Sequence, residues 1–263
     1  MKTFVIPYIK IKFYKGGVSL KAKTTFRRLE KKFLLTTEQF LRIKEEIDRR
    51  FDPDEYGETK ICNLYFDTPS YLLIRRSIEK PIFKEKLRLR TYGVPTQNSQ
   101  SFIEIKRKYN SEVYKRRIGL PLNEALDFLE KGKEIKERSQ ISGEIEYFIS
   151  MYENLEPMFY ISCDRSAFFY KNNKDIRVTF DKNLTWRNYD LDLTKGSYGE
   201  LLLPTDMILM EIKIPDAIPL WLAKLLSELG VVSASFSKVG NAYINMIKQR
   251  SVSNEQTVSK YIY

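Results

Sequence analysis

Charged and apolar residues alternate one for one in stretch after stretch of this chain, and that period of two commits those stretches to β-strands. Lys86, Arg88 and Arg90 alternate with Leu87 and Leu89. Glu104, Lys106 and Lys108 alternate with Ile103 and Ile105, and Lys115 and Arg117 with Tyr114 and Ile118. Further on, Arg177, Thr179 and Asp181 alternate with Ile176, Val178 and Phe180, and Glu211 and Lys213 with Met210, Ile212 and Ile214. Every such strand has one apolar face and one charged face. On alternation alone the charged face is a solvated one, packed on helices through its apolar side. A second arrangement turns the charged faces inward, so that they line a common lumen. Coulomb's law separates the two. Like charges about 5 Å apart repel by roughly 3 kcal/mol at an effective dielectric near 20. Converging lysines and arginines therefore imply a polyanion between them, whereas solvated ones imply none.

Helices flank these strands. A strand is expected over 26–35, followed by a helix over 36–51 that Thr36 caps and Pro53 ends; Phe40, Ile43 and Ile47 recur at helical spacing. Strands are expected at 61–67, 85–92, 101–108 and 111–120, with a tight hairpin at Tyr109-Asn110. Helices follow over Leu122–Lys131 and 141–154, then strands at 158–170, 176–180 and Met207–Ile214. The connection 187–204 is long and partly extended. Amphipathic helices close the chain at 217–229 and 237–250. The pattern indicates an α+β fold, and a closed or nearly closed antiparallel β-barrel flanked by α-helices hides the most strand edges. Residues 1–24 read as a basic arm, 25–250 as the barrel domain, and 251–263 as a polar, mobile tail.

Composition narrows the chemistry. Lysine and arginine number 45 against 34 acidic residues in 263, a formal charge of +11 that favours polyanionic partners. The chain contains no histidine, which excludes histidine bases, histidine-assisted nucleophiles and histidine metal ligands. Any metal site is then built on carboxylates, suiting Mg2+ or Mn2+. Cys62 and Cys163 are two separate thiols rather than a disulfide framework, as in a reducing compartment. The sequence shows no apolar span and no leader pattern, and a cytoplasmic location is expected. Three Glu-x-Lys pairs (Glu30 with Lys32, Glu104 with Lys106, Glu211 with Lys213) each put a carboxylate beside an ammonium on one strand face. Gly-rich phosphate loops and dinucleotide fingerprints are absent.

In order, Glu30-Lys31-Lys32-Phe33, Tyr65-Phe66-Asp67-Thr68, Leu87-Arg88-Leu89-Arg90-Thr91-Tyr92, Glu104-Ile105-Lys106 and Tyr114-Lys115-Arg116-Arg117 form a recognisable series. It continues through Asp164-Arg165-Ser166-Ala167-Phe168, Arg177-Val178-Thr179-Phe180-Asp181, Glu211-Ile212-Lys213 and Ser237-Lys238. The series resembles the VTC (vacuolar transporter chaperone) domain, one of the triphosphate tunnel metalloenzymes. The resemblance implies an antiparallel barrel tunnel that binds triphosphate and a divalent metal, with ATP and inorganic polyphosphate as partners. It implies polyphosphate polymerase activity, with the γ-phosphate of ATP passed to a growing chain. The family's basic residues carry over onto Lys32, Arg88, Arg90, Lys106, Arg165, Arg177 and Lys238, with Lys115 and Arg117 on the inward face and Arg116 outside. Lys213 and Ser237 are expected at the substrate. Glu211 matches the metal-binding glutamate, and Glu30 and Glu104 match the other tunnel carboxylates.

The chain departs from the eukaryotic pattern: no phosphate-sensing domain precedes the barrel and no transmembrane bundle follows it, so it reads as a stand-alone version. A triphosphatase in the same tunnel and a non-catalytic polyphosphate binder are the competing readings. Arg28, two positions before Glu30, breaks the Glu-x-Glu-x-Lys triplet of the hydrolases and favours polymerisation. Nucleic acid is not expected as a partner. The apolar and basic start of the chain leaves peripheral membrane association open.

Overall fold

The computed structural model describes residues 29–79, 81–110, 112–136 and 138–260, and side chains as far as residue 251. The basic arm expected at 1–24 lies outside these. Strand β1 (Leu29–Thr36) leads into helix α1 (Thr37–Arg50), and β2 (Phe51–Asp67) follows with no intervening turn. A short α2 (Leu72–Ile78) precedes β3 (Phe83–Tyr92), β4 (Gln100–Tyr109) and β5 (Glu112–Pro121). After α3 (Leu122–Lys131) and α4 (Gln140–Met151) come β6 (Glu156–Tyr170), β7 (Asn173–Arg187), β8 (Glu200–Leu201) and β9 (Met207–Ile214). Helices α5 (Leu220–Glu228) and α6 (Lys238–Lys260) complete the described chain.

Local chemistry explains these boundaries. Thr36 Oγ1 accepts the Gln39 N–H at 3.2 Å and Gln39 Oε1 accepts the Thr36 N–H at 3.0 Å, closing a capping box on α1. Phe51 is already extended at φ −118°, ψ 151°, so the helix ends before Pro53. Pro53 does not break a helix here; it sits inside β2, where the register with β6 shifts between Pro53 and Glu58. A proline without an N–H is tolerated at such a bulge. Asn110 takes φ 42° in the β4–β5 turn, a left-handed conformation that asparagine adopts more readily than most residues. The α2 turn escapes sequence periodicity because it is only seven residues long. It is held instead by the buried Asp67 carboxylate, which accepts the N–H groups of Leu73 (2.9 Å) and Ile74 (2.8 Å). Helix α6 continues through Lys260, so residues 251–260 are helical and not the separate tail expected after residue 250.

The strands form one antiparallel sheet in the order β1-β9-β7-β6-β2-β3-β4-β5, with β8 added beside β7. The ladder is not closed between β1 and β5. The sheet curls instead until side chains meet across the gap: Lys106 on β4 reaches Glu30 on β1 at 3.5 Å. The segment between α5 and α6 also lies along the edge of β1, with the Ala234 N–H on the Lys32 carbonyl at 2.7 Å and a bridge from Phe33 to Ser233. The expected tunnel is therefore a curled barrel closed by ion pairs and a loop.

Helices cover the convex face. Phe40, Ile43 and Ile47 of α1 and Leu222 and Leu226 of α5 pack on Phe33, Leu35, Met210 and Ile212. Helices α3 and α4 bring Ala125, Phe128, Ile145 and Phe148 onto Leu64, Leu87, Leu89, Ile103 and Ile105. Each buried Leu, Ile, Phe or Met among them contributes about 1.5–3 kcal/mol. A third cluster occupies part of the concave face, where Val239, Ala242 and Met246 of α6 and Ile74 of α2 meet Ile61, Phe159, Ile161, Trp186 and Leu209. Among the described residues no helix is long and apolar enough to cross a membrane.

Candidate functional site

With the convex face taken by helices, the other face of each strand turns into the curl. Register fixes which residues share it. Arg88 lies opposite Glu104, which lies opposite Arg117; Lys106 lies opposite Lys115; Arg165 lies opposite Asp181; and Arg177 and Thr179 lie opposite Lys213 and Glu211. The innermost of these charges are withdrawn from solvent, while Lys106, Lys115 and Arg117 stay partly exposed. Asp181 is 0% exposed, Glu104 1%, Glu211 7% and Arg90 9%. The inward reading of the alternation is the one the chain adopts.

Two buried carboxylates organise the cations. Glu104 Oε2 accepts from Arg88 Nε (2.8 Å) and Nη2 (2.6 Å), and its Oε1 lies 2.5 Å from Lys115 Nζ. Arg88 Nη1 also donates to Tyr65 Oη at 3.1 Å, and Arg90 Nε to Asn63 Oδ1 at 2.9 Å. Burial opposes a charge on Glu104, yet Arg88, Arg90 and Lys115 hold its pKa down to about 2. On the opposite wall Asp181 takes both forks of Arg165, at 2.6 and 2.7 Å, and Lys238 Nζ at 2.6 Å. Burial again works against ionisation, and Lys238 and Arg165 overcome it, leaving Asp181 far below the usual carboxylate range. Bidentate arginine pairs fix direction as well as charge.

Other expected residues lie around these hubs. Lys32 Nζ donates to the Phe236 carbonyl at 2.9 Å and lies 3.4 Å from Glu30. Glu211 pairs with Lys213 at 3.2 Å. Despite burial it is held ionised by Lys213, Lys32, Lys238 and Arg165. Ser237 Oγ receives Lys86 Nζ at 2.9 Å and the Gly240 N–H of α6 at 3.2 Å. Two residues sit nearer the rim: Arg177 donates to Asp54 at 2.9 Å, and Arg117 stacks 4.8 Å over the Phe102 ring. Arg116 points outward to Glu144 on α4, as its alternation requires.

The three glutamates matched to a metal do not converge: among the described residues no group of three or more acidic or cysteine side chains could hold a metal. Glu104 is committed to Arg88 and Lys115, and Glu30 is shared by Lys32 and Lys106. Glu211 is the carboxylate that fits a metal bound mainly by phosphate oxygens, since Mg2+ commonly takes only one or two protein carboxylates. Thr179 lies directly across the β7–β9 ladder from it, and its buried hydroxyl has no hydrogen-bond partner.

Sequence reasoning left Asp181 and Lys86 out of the site. Both lie in the alternating runs (Asp181 after Arg177 and Thr179, Lys86 before Arg88 and Arg90), so the period of two marks their face. Tyr65 and Asn63 carried no such signal, because β2 shows no charge alternation there.

Solved structures share this architecture. A candidate adenylate cyclase from Bacillus halodurans superposes with a TM-score of 0.50 at 14% identity, covering 79% of this chain and 92% of that one. A candidate adenylyl cyclase from Hippeastrum, described as having a dominant triphosphatase activity, gives 0.50 at 15% identity over 80% and 92%. At such identities the likeness shows the fold and nothing finer. No curated protein sequence matches the chain closely enough to count as a relative. The VTC domain matches residues 27–261, which is nearly the whole chain, and this protein belongs to the VTC domain family.

Proposed function

We propose that this protein transfers the γ-phosphoryl group of ATP to the end of an inorganic polyphosphate chain held in its tunnel. The observation that carries the reading is the convergence of lysines and arginines on the concave face, in excess of the carboxylates Glu30, Glu104, Asp181 and Glu211 that accompany them. Such a face repels itself unless a polyanion fills it. Arg88, Arg90 and Arg165 are oriented by Glu104, Asn63 and Asp181 and present their outer N–H groups to phosphate oxygens. Lys32, Lys106, Lys115 and Lys238 supply point charges beside them. Glu211, with the Thr179 hydroxyl, would hold Mg2+ or Mn2+. The four cations that surround Glu211 disfavour a bare metal ion, so Glu211 would suit a metal already carried on the phosphates of a nucleotide. When bound, it neutralises charge on the phosphates.

The transfer itself asks for alignment and charge neutralisation. A terminal phosphate oxygen attacks the γ-phosphorus in line, the bridging P–O bond breaks, and ADP leaves with the electron pair. The chain grows by one phosphate. No base is needed, because the attacking oxygen is already anionic. A water nucleophile would be helped by one, and the tunnel carboxylates serve poorly: the surrounding cations hold the pKa values of Glu104, Asp181 and Glu211 low, which makes them weak bases. This favours polymerisation over hydrolysis. The triphosphatase reading keeps the same tunnel with water as acceptor, and the Hippeastrum neighbour is the observation behind it. A cytoplasmic location, in reach of ATP, accords with the two reduced, buried thiols.

The test is incubation of purified protein with ATP and Mn2+ or Mg2+, followed by separation of products. Polymerisation yields long-chain polyphosphate with one ADP per phosphate added. Orthophosphate and ADP without polymer would establish hydrolysis, and no turnover with retained binding would leave a polyphosphate receptor.

A further inference from the structure

The seam where β1 approaches β3 and β4 differs from the rest of the tunnel in its charge balance. Lys86 has a neutral partner there, Ser237 Oγ at 2.9 Å. The cations around it are Lys84 and Arg88 on its own strand, Lys106 on β4 and Lys32 on β1. Arg88 is neutralised by Glu104 at 2.6 Å, but Lys32 and Lys106 must share Glu30, at 3.4 and 3.5 Å. From α6, Lys238 turns away to Asp181 and leaves Ser237 facing Lys86. Burial, reinforced by the charges of Lys106, Lys32, Lys84 and Arg88, pushes the Lys86 pKa down to about 7. The ammonium is thus held where its neighbours repel it, beside the first turn of a helix whose N–H groups favour anions.

We propose that Lys86 couples polyanion binding to proton uptake: it takes a proton from solvent when a phosphate group enters the seam, so that binding weakens as pH rises above neutrality. The amine lone pair binds one proton, no bond to phosphorus changes, and the entering phosphate offsets the repulsion of the four cations with attraction to an anion. This deepens the tunnel reading and rests on it, and it names a residue that turns the acid–base state of the surroundings into affinity.

The experiment is calorimetric titration of the intact protein with sodium tripolyphosphate in the presence of chelator, at pH 6.5 and 8.5. Each titration is repeated in two buffers of different ionisation enthalpy. Wild type, Lys86→Arg and Lys86→Met are compared, so that protons lost by the ligand cancel. At pH 8.5 wild type should take up about one proton more than Lys86→Arg, whose guanidinium stays charged. The affinity advantage of Lys86→Arg should rise from near unity at pH 6.5 to about 20-fold at pH 8.5. Lys86→Met should bind more weakly than Lys86→Arg at both values and show no excess uptake. Equal proton uptake in wild type and Lys86→Arg, or parallel pH profiles, would overturn the role of Lys86 while leaving the tunnel standing. Absence of tripolyphosphate binding by wild type at either pH would overturn the tunnel and Lys86 together.

Discussion

The wall of the tunnel built from β3, β4 and β5 and the wall built from β1, β9 and β7 each bury a glutamate, and the two are used differently. Glu104 is saturated by cations: Arg88 takes Oε2, Lys115 lies 2.5 Å from Oε1, and Arg90 stands at 3.9 Å. Glu211 has one close cation, Lys213 at 3.2 Å, and the unpartnered Thr179 hydroxyl across the ladder. On its wall the saturated role falls to Asp181. Saturated carboxylates aim arginines, while the unsaturated one has room for a ligand. Three Glu-x-Lys pairs that look alike in sequence therefore divide into anchors, Glu30 and Glu104, and one metal-ligand candidate, Glu211.

Replacing Glu104 by alanine should break that contrast most severely. It strands Arg88 and Arg90 in a buried site, and removal of one partner of a buried ion pair costs about 3–5 kcal/mol. Denaturant unfolding should show the loss as a lower midpoint, and a midpoint equal to wild type would contradict the anchoring role. Glu211→Gln should weigh more on activity than on stability. Turnover of ATP should fall about 100-fold, whereas the unfolding midpoint should drop less than in Glu104→Ala, because Glu211 has one close cation, Lys213 at 3.2 Å. Metal-free tripolyphosphate should bind this variant at least as tightly as wild type, because a negative charge has left the anion site.

Acid sharpens the comparison further. Glu104, at a pKa of about 2, and Asp181, lower still, have folded values depressed below their unfolded ones. Their stabilisation is complete above about pH 4.5. It is lost as pH falls through the folded values, so an unfolding transition should appear on acidification from pH 4 toward pH 2, and it should be weakened in Glu104→Gln. The smallest effect belongs to the outside. Arg116 faces Glu144 from an exposed position at 3.3 Å, and Arg116→Ala should change stability by about 0.5 kcal/mol or less.

Much of this site was legible because a β-strand writes its two faces into alternate residues. Arg88 and Arg90, Lys115 and Arg117, and Glu211 and Lys213 could be assigned to one surface before any packing was known. Which surface faces inward could not be read from alternation, since a solvated sheet has the same period; helix packing on Leu87, Leu89, Met210 and Ile212 decides it. What each carboxylate holds was equally hidden, because Glu104 and Asp181 gather partners from neighbouring strands and, for Asp181, from α6, where Lys238 lies 57 residues away in sequence. The missed elements have local causes. The early part of β2 was masked by Pro53 at its bulge, and α2 is too short to show a helical period and depends on Asp67.

The central claim is that the concave face, and not the convex one, receives the polyanion. Tripolyphosphate affinity should be measured by calorimetry for wild type, Arg88→Ala and Arg116→Ala, with circular dichroism confirming that each is folded. The account predicts binding by wild type, a loss of about tenfold or more in Arg88→Ala, and no change in Arg116→Ala. Equal affinity in wild type and Arg88→Ala, or a loss on Arg116→Ala as large as that on Arg88→Ala, would contradict it.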